Sequence, residues 1–175
     1  MSELQTNHDV LGRMETKDEA GDDSKYIIFS LGSELYGAKL LEVREVVETM
    51  PTKSVPNTIA AFKGVCNLRG QIIGVVDLRL RFGIESDKAL RPVLFVFETE
   101  SGAIAAAVDQ IVSVSVIPPK DIESKPNIVS SIPSKYILGI GKMDSRLITL
   151  VDLKTILSQE ELTRVDQSRI LEKVA

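Results

Sequence analysis

The sequence predicts a mainly β protein that arose by tandem duplication, because it combines strand-like apolar runs with two internal matches. Short β-branched runs such as 72–76 are bounded by glycine and polar residues, a pattern typical of buried strands. Residues 137–153 align without a gap with residues 62–78, and five of the 17 positions are identical. Residues 94–114 match residues 26–46 in the same order. Two matches in one order indicate two diverged copies of one unit.

The elements of the first half follow from this pattern. Residues 26–31 and 36–40 are predicted strands joined by a hairpin loop of three to four residues around 32–34. Residues 41–48 fit a helical stripe as well as a strand, and their β-branched content favours the strand. After the proline-containing crossing comes a strand, a tight turn at Arg69-Gly70, a second strand, and Asp77 as the cap of a short helix.

The second half repeats these elements. Its first strand is predicted at 93–97, with a hairpin turn at 98–102 and a return strand at 104–108. We predict a domain at residues 25–157, with a first half at about 25–90 and a second half at about 91–157.

The two ends of the chain have different characters. Residues 1–24 are polar, acidic and without a period, so we predict a disordered tail. The only histidine, His8, lies there, and a lone His without Cys partners favours a solvated residue over a metal or catalytic role. Ser158 and Glu161 fit a capping box, which predicts a C-terminal helix at 158–175. Docking of that helix on the domain is favoured over binding to a partner.

Composition restricts the class of protein. A chain of 175 residues with 43% hydrophobic and 26% charged residues is ordinary for a globular protein. No apolar run approaches the ~20 residues of a membrane helix, and a single cysteine fits a reducing cytoplasm. A net charge of −4 and the lack of tryptophan argue against nucleic acid. We therefore expect a cytoplasmic protein that neither inserts into a membrane nor binds nucleic acid.

Residues that recur in both copies are expected to serve the fold. Asp77 and Asp152 are equivalent, so helix capping is favoured over a paired-carboxylate acid–base site, whose two members need different environments. Gly64 and Gly139 are structural on the same argument. Cys66 lies on an apolar strand and is predicted to be buried and inert. Because no phosphate loop, zinc ligand set or serine elbow occurs, we expect no catalytic residue, metal or cofactor.

The turn of the first copy differs from that of the second. The residues that change are Asn67, Leu68, Arg69 and Gly70. An arginine offers a planar fork of donors to a carboxylate, and Glu45 is a plausible partner. The alternative interpretation is an ordinary surface arginine, since an exposed ion pair contributes only ~0–1 kcal/mol.

These motifs resemble the CheW family of bacterial chemotaxis coupling proteins over about residues 25–157. The most specific stretch, at 62–79, reads FKGVCNLRGQIIGVVDLR, and VREV at 43–46 precedes it. In the second half, VDQIV at 108–112 and LITLVD at 147–152 also match. The sequence departs from the family at Gly74, where proline is usual, and at Cys66.

The resemblance implies two small five-stranded barrels, similar to Src-homology-3-like domains, around a shared core. It also implies a non-enzymatic scaffold that bridges the regulatory domain of the histidine kinase CheA to the cytoplasmic tip of chemoreceptors. Such a protein would be cytoplasmic and recruited to membrane-associated receptor arrays. By resemblance, the residues used for receptor and kinase coupling are Val43, Glu45, Gly64, Asn67, Leu68, Arg69 and Gly70. The strand from Val93 resembles a sheet edge that contacts the kinase.

Other functions stay open at this point. An adaptor of another chemosensory array, such as one that controls pili, has the same fold and site. A small-barrel nucleic-acid-binding module is a more distant alternative. An enzyme ranks last, because no base and nucleophile occur together.

Overall fold

The mainly β prediction is confirmed. The computed structural model describes residues 21–56, 58–85, 91–124 and 132–164, and these ranges contain eleven strands in two sheets. The strands in chain order are β1 (Lys25–Leu31), β2 (Glu34–Lys39), β3 (Glu45–Glu48), β4 (Phe62–Leu68), β5 (Gln71–Asp77), β6 (Val93–Thr99), β7 (Gly102–Val108), β8 (Gln110–Val116), β9 (Ile122–Glu123), β10 (Ile137–Met143) and β11 (Arg146–Val151). The helices are α1 (Leu78–Arg81) and α2 (Gln159–Arg164), with short 3-10 turns between strands.

Two predicted elements are shorter than expected. Leu31 lies opposite Glu34, so the first hairpin has a two-residue loop and not the predicted three to four residues. Of residues 41–48, only Glu45–Glu48 form a strand, after a 3-10 turn at Leu40–Glu42.

Each sheet contains strands from both sequence halves. The five-stranded sheet has the order β3-β6-β7-β5-β4, and the six-stranded sheet has the order β8-β1-β2-β11-β10-β9. The β1–β2 hairpin of the first half thus lies between β8 and β11 of the second, and the β6–β7 hairpin lies between β3 and β5. The two halves exchange their first hairpins.

The parallel contacts show how closely the two sheets correspond. In one sheet Gly74 of β5 lies opposite Ile104 of β7, and in the other Thr149 of β11 lies opposite Tyr36 of β2. These four positions are equivalent by the internal matches of the sequence. The duplication is therefore also a structural symmetry, in which each sheet is completed by the other copy.

Two equivalent glycines mark a close backbone approach. A Cβ at Gly64 would lie 2.0 Å from the carbonyl oxygen of Lys53, which bridges to Val65. A Cβ at Gly139 would lie 2.8 Å from the carbonyl oxygen of Glu123 in β9. The two-residue strand β9 is thus the counterpart of the bridge at Lys53, and both glycines have the structural role predicted for them.

A shared hydrophobic core joins the two sheets. Phe29 of β1 packs against Phe95 of β6 with ring centroids 5.3 Å apart, and against Tyr36 of β2 at 5.8 Å. Tyr36 in turn contacts Phe82, which contacts Tyr136. Each sheet also has a smaller cluster of its own, around Ile73 in the five-stranded sheet and Ile148 in the six-stranded sheet. This arrangement confirms two small subdomains about a common core.

The recurring aspartates cap helical turns, as predicted. The Asp77 carboxylate accepts hydrogen bonds from the backbone N–H of Arg79 at 2.8 Å and of Leu80 at 3.3 Å, where α1 begins. Asp152 accepts one from the N–H of Lys154 at 3.0 Å. Each carboxylate satisfies a backbone donor that a helix start leaves unpaired.

The start of the predicted C-terminal helix docks on the first half. Ser158 and Glu161 form the reciprocal hydrogen bonds of a capping box, 2.8 and 3.2 Å long. Glu161 also accepts two hydrogen bonds from the Arg81 guanidinium, at 2.8 and 2.6 Å. Burial acts to raise the pKa of Glu161, but the bonds from Arg81 and Ser158 outweigh it and lower the pKa. Residues 165–175 of the predicted helix, and residues 1–20 of the predicted tail with His8, lie outside the described residues.

The prediction that the strand from Val93 forms a sheet edge is wrong. Val93 lies opposite Glu48 of β3 on one side and Val108 of β7 on the other. The edge was expected from the family resemblance, whereas the exchanged hairpin places β6 inside the five-stranded sheet. The outermost strands of that sheet are β3 and β4.

Candidate partner-binding site

The turn between β4 and β5 has a backbone conformation in which two successive residues adopt positive φ. Leu68 lies opposite Gln71, which leaves Arg69 and Gly70 as a two-residue loop with φ of 52° and 86°. Two positive φ angles are typical of a type I′ hairpin turn, whose twist matches that of the strands. The side-chain oxygen of Asn67 accepts a hydrogen bond from the N–H of Gly70 at 2.8 Å and so holds the turn.

The second copy forms the same turn with other side chains. Asp144 and Ser145 have φ of 47° and 65°. The turn conformation therefore belongs to the duplicated fold, whereas the arginine belongs to one copy only. The two turns thus share a backbone conformation but differ in the side chains that they expose.

Arg69 forms the ion pair predicted for it. Its Nη1 lies 2.8 Å from Oε2 of Glu45, and the arginine side chain is 73% exposed against 19% for the glutamate. Glu45 is on β3, and Arg69 follows β4, so the pair joins the two outermost strands of the five-stranded sheet. In the six-stranded sheet the equivalent positions hold Ser113 and Asp144, which cannot form such a pair.

Stability alone does not account for this ion pair. A pair with one largely exposed partner contributes at most ~1 kcal/mol, since water screens the charges. The exposed guanidinium nevertheless presents a rigid fork of donors, held at a fixed place by Glu45 and the tight turn. Such a group is suited to recognise a carboxylate on another protein.

Two apolar residues close to Glu45 in the chain are exposed, which the sequence did not predict. Leu41 in the 3-10 turn and Val46 on β3 are 62% and 44% exposed, whereas Val43 is half-buried against the shared core. Just before β3, Nη1 of Arg44 lies 2.8 Å from Oε1 of Glu98. Residues 45–48 read EVVE, which does not alternate, so the sequence does not show which of the two valines is exposed.

The remaining predicted site residues act through the backbone or the core. Gly64 and Leu68 are buried, and Leu68 packs in the inner cluster of the five-stranded sheet. Cys66 belongs to that cluster, and burial raises the pKa of its thiol. The structure therefore brings Glu45, Asn67, Arg69 and Gly70 together at the surface, with Leu68 buried where the turn begins. Gly64 lies four residues before Leu68 on β4, against Lys53.

Among the described residues there is no group of three or more His, Cys, Asp or Glu side chains that could hold a metal ion. Within the same ranges, no helix has the length and apolarity needed to cross a membrane.

The chain is similar to chemotaxis proteins along most of its length. The model of the CheW-like domain matches residues 25–161. The chemotaxis protein CheW of Klebsiella aerogenes is 32% identical over 145 residues, which cover 81% of this chain and 86% of that protein. The chemotaxis protein CheW of Thermotoga maritima is 28% identical over 150 residues, which cover 86% and 97% of the two chains.

A solved structure has the same fold. The crystal structure of the scaffolding protein TtCheW from Thermoanaerobacter tengcongensis superposes with a TM-score of 0.73 at 30% identity. The superposition covers 82% of this chain and 94% of that one. By its matched domain, its relatives and its fold, this chain belongs to the CheW family of chemotaxis scaffold proteins.

Proposed function

We propose that this chain is a non-enzymatic scaffold that couples chemoreceptors to the histidine kinase CheA. The observation that carries the proposal is the Arg69–Glu45 pair, which is exposed and occurs in only one copy of a duplicated fold that belongs to the CheW family. A residue kept for folding alone is expected in both copies, as Asp77 and Asp152 are. The asymmetry therefore favours a role in binding for Arg69.

The surface around this pair suits a helical partner. Leu41 and Val46 offer exposed apolar area, and Arg69 offers a charged group a short distance from β3. An amphipathic helix binds such a surface with its apolar face and is oriented by one charged contact. The cytoplasmic tip of a chemoreceptor, which the family resemblance implies as the partner, is a helical hairpin.

The two-subdomain architecture suits the bridging of two partners. The two subdomains are built alike but carry different side chains at equivalent turns, so they present related but distinct surfaces. The regulatory domain of CheA is itself similar to CheW and is the second proposed partner. A protein with two such contacts holds receptor and kinase at high effective concentration. We place it in the cytoplasm, recruited to receptor arrays at the membrane.

The test measures binding to each partner separately. The full chain is titrated calorimetrically with a receptor cytoplasmic fragment and with the CheA regulatory domain from the same cell. Arg69→Ala is expected to weaken at least one of the two interactions about tenfold, equivalent to ~1.4 kcal/mol, because a charged contact is lost. Its thermal unfolding is expected to change little, since the pair is exposed.

Asp144→Ala is the matched control, because Asp144 occupies the equivalent turn position in the other sheet. It is expected to bind like the wild type. Binding of neither partner by the wild type would refute the coupling role. If Arg69→Ala is strongly destabilised while its folded fraction binds normally, Arg69 serves the fold and the proposed site is wrong.

A further inference from the structure

Along the strands that the structure describes, the chain passes from one sheet to the other twice. β1 and β2 lie in the six-stranded sheet, β3 to β7 in the five-stranded sheet, and β8 to β11 in the six-stranded sheet again. The first crossing is the segment 40–44, between β2 and β3, and the second is a single residue, Asp109, between β7 and β8. The relative orientation of the sheets therefore depends on two short crossings and on the shared core.

A buried ion pair holds the second crossing. Arg79 of α1 binds both carboxylate oxygens of Asp109, with Nε 2.5 Å from Oδ1 and Nη2 2.5 Å from Oδ2. The two side chains are only 14% and 11% exposed. Oδ2 of Asp109 also accepts a hydrogen bond from the N–H of Gly32, in the β1–β2 loop, at 2.7 Å. One carboxylate thus joins a hairpin of the six-stranded sheet to the helix that follows β5 of the five-stranded sheet.

The first crossing is held more weakly. By the internal matches, Leu41 takes the place of Asp109, and Lys154, the residue after the second match, takes that of Arg79. Leu41 is 62% exposed and offers no carboxylate. Nζ of the exposed Lys154 lies 3.8 Å from Oε1 of Glu42, which is too far for a hydrogen bond. The two crossings are therefore unequal, and only the second is fixed by a bidentate pair.

The chemistry of the Arg79–Asp109 pair suits it to fix an angle. Apolar packing in the shared core is non-directional, so it holds the sheets together without strongly favouring one orientation. A bidentate pair between a guanidinium and a carboxylate, in contrast, fixes both the distance and the plane of the two groups. Rotation at Asp109 would break this pair and leave two charges buried without partners, which is costly.

We propose that Arg79 and Asp109 form an orientation lock between the two sheets. Without the lock, the sheets rotate relative to each other about Asp109, and the weakly held crossing at 40–44 yields, as the few loop residues of a hinge do. The inference goes beyond the proposed function and does not depend on it, since its test needs neither receptor nor kinase. For a protein that binds two partners, a fixed angle keeps both sites in the geometry that simultaneous binding requires.

Distances between spin labels on the two sheets test the lock in the full chain. The labels are attached at Val46→Cys on β3 and Leu147→Cys on β11, because these side chains are 44% and 58% exposed. The native Cys66 is buried, and the labelling reaction on the wild type checks that it does not react. In Arg79→Ala, the distance distribution from pulsed electron spin resonance is expected to be about twice as wide as with Arg79 present, because the hinge is released.

Lys154→Ala is the matched control, because Lys154 occupies the position equivalent to Arg79 at the other crossing. Its distance distribution is expected to be as narrow as that of the labelled chain with both residues intact. Its exposed side chain makes no contact short enough to fix an angle between the sheets.

Two milder variants keep the test decisive where Arg79→Ala does not fold. Arg79→Lys retains the charge but loses the planar fork, and Asp109→Asn retains the shape but loses the charge. A single cooperative melting transition checks that each variant is folded, and both are expected to widen the distribution. A distribution that stays narrow in every folded variant at positions 79 and 109 would overturn the proposal. Equal widening by Lys154→Ala would also overturn it, because the effect would then not belong to this crossing.

Discussion

Glu42 is a partly buried carboxylate whose surroundings disfavour its charged form. Burial raises the pKa of Glu42, and the nearby charge of Asp152 raises it further. Its Oε2 is buried without a hydrogen-bond partner, and its Oε1 lies 3.8 Å from Nζ of the exposed Lys154. The equivalent residue in the second copy is Gln110, which has no charge to desolvate. The charge at Glu42 is therefore expected to cost folding stability.

Glu42→Gln is predicted to stabilise the protein at neutral pH. Because the pKa of Glu42 is raised on folding, the native state binds more protons than the unfolded state between the two pKa values. Wild-type stability therefore falls as pH rises through this window, whereas the amide does not titrate. The melting temperature of the variant is expected to exceed that of the wild type at pH 7 to 8, and the difference to shrink towards about pH 4. A variant less stable than the wild type at pH 8 would show that the attraction of Lys154 outweighs burial.

The contact between Arg69 and Glu45 was predicted from the sequence. Their pairing was predicted from the exchange of residues between the two copies and from the complementary charge of the two side chains, and the 2.8 Å contact confirms it. The exposure of Leu41 and Val46 was not predicted. Exposure depends on which neighbouring strands cover a face, and short apolar runs carry no information on that.

Among the secondary-structure elements, β4 has one position, Gly64, where the backbone of Lys53 leaves no room for a side chain. Gly64 has φ of 139°, and a Cβ there would lie 2.0 Å from the Lys53 carbonyl oxygen. Gly70 also has a positive φ, of 86°, but has no atom within 4 Å of a Cβ. A substitution at Gly64 would therefore meet both a clash and an unfavourable φ, whereas a substitution at Gly70 would meet only the unfavourable φ.

Gly64→Ala is predicted to cost about 3 kcal/mol or more, because a clash with backbone cannot be relieved by turning a side chain. Gly70→Ala is predicted to cost about 1–2 kcal/mol, the preference of alanine against the left-handed region alone. Urea unfolding of both variants provides the comparison. Equal costs would mean that the segment at Lys53 moves away freely and does not restrain β4.

The position of β6 marks the limit of prediction for elements. The strand itself, its hairpin and its apolar pattern were correct. Its neighbour β3 was not foreseen, because a strand's pattern shows that it is buried but not which strand lies beside it. Because β3 and β8 are equivalent by sequence, the sequence pattern does not show which of them lies beside β6.

For the whole molecule, the exchanged hairpins make the two halves depend on each other. Without β6 and β7 the first half has no strand between β3 and β5, and without β1 and β2 the second has none between β8 and β11. The aromatic contact of Phe29 with Phe95 also joins the halves. The sequence showed that the unit is duplicated but did not show that the copies are intertwined.

Fragments 1–85 and 91–175 are therefore each predicted to lack a cooperative unfolding transition. Mixed in equal amounts, they are expected to recover the circular dichroism spectrum and a single transition, because each sheet needs strands from both. The uncut chain is the control. A fragment that folds alone would show that its half contains a sheet sufficient for stability and would contradict the intertwined architecture.

If one copy of this chain joins receptor to kinase, the coupling is measurable as kinase activity in a reconstituted system. CheA autophosphorylation is measured with receptor-containing membranes from the same organism, with and without the full chain. We predict that the chain stimulates the kinase and makes it responsive to receptor ligand, that Arg69→Ala loses most of this effect, and that Asp144→Ala retains it. Kinase activity that is the same with and without the chain, in the presence of folded receptor and kinase, would contradict the coupling role.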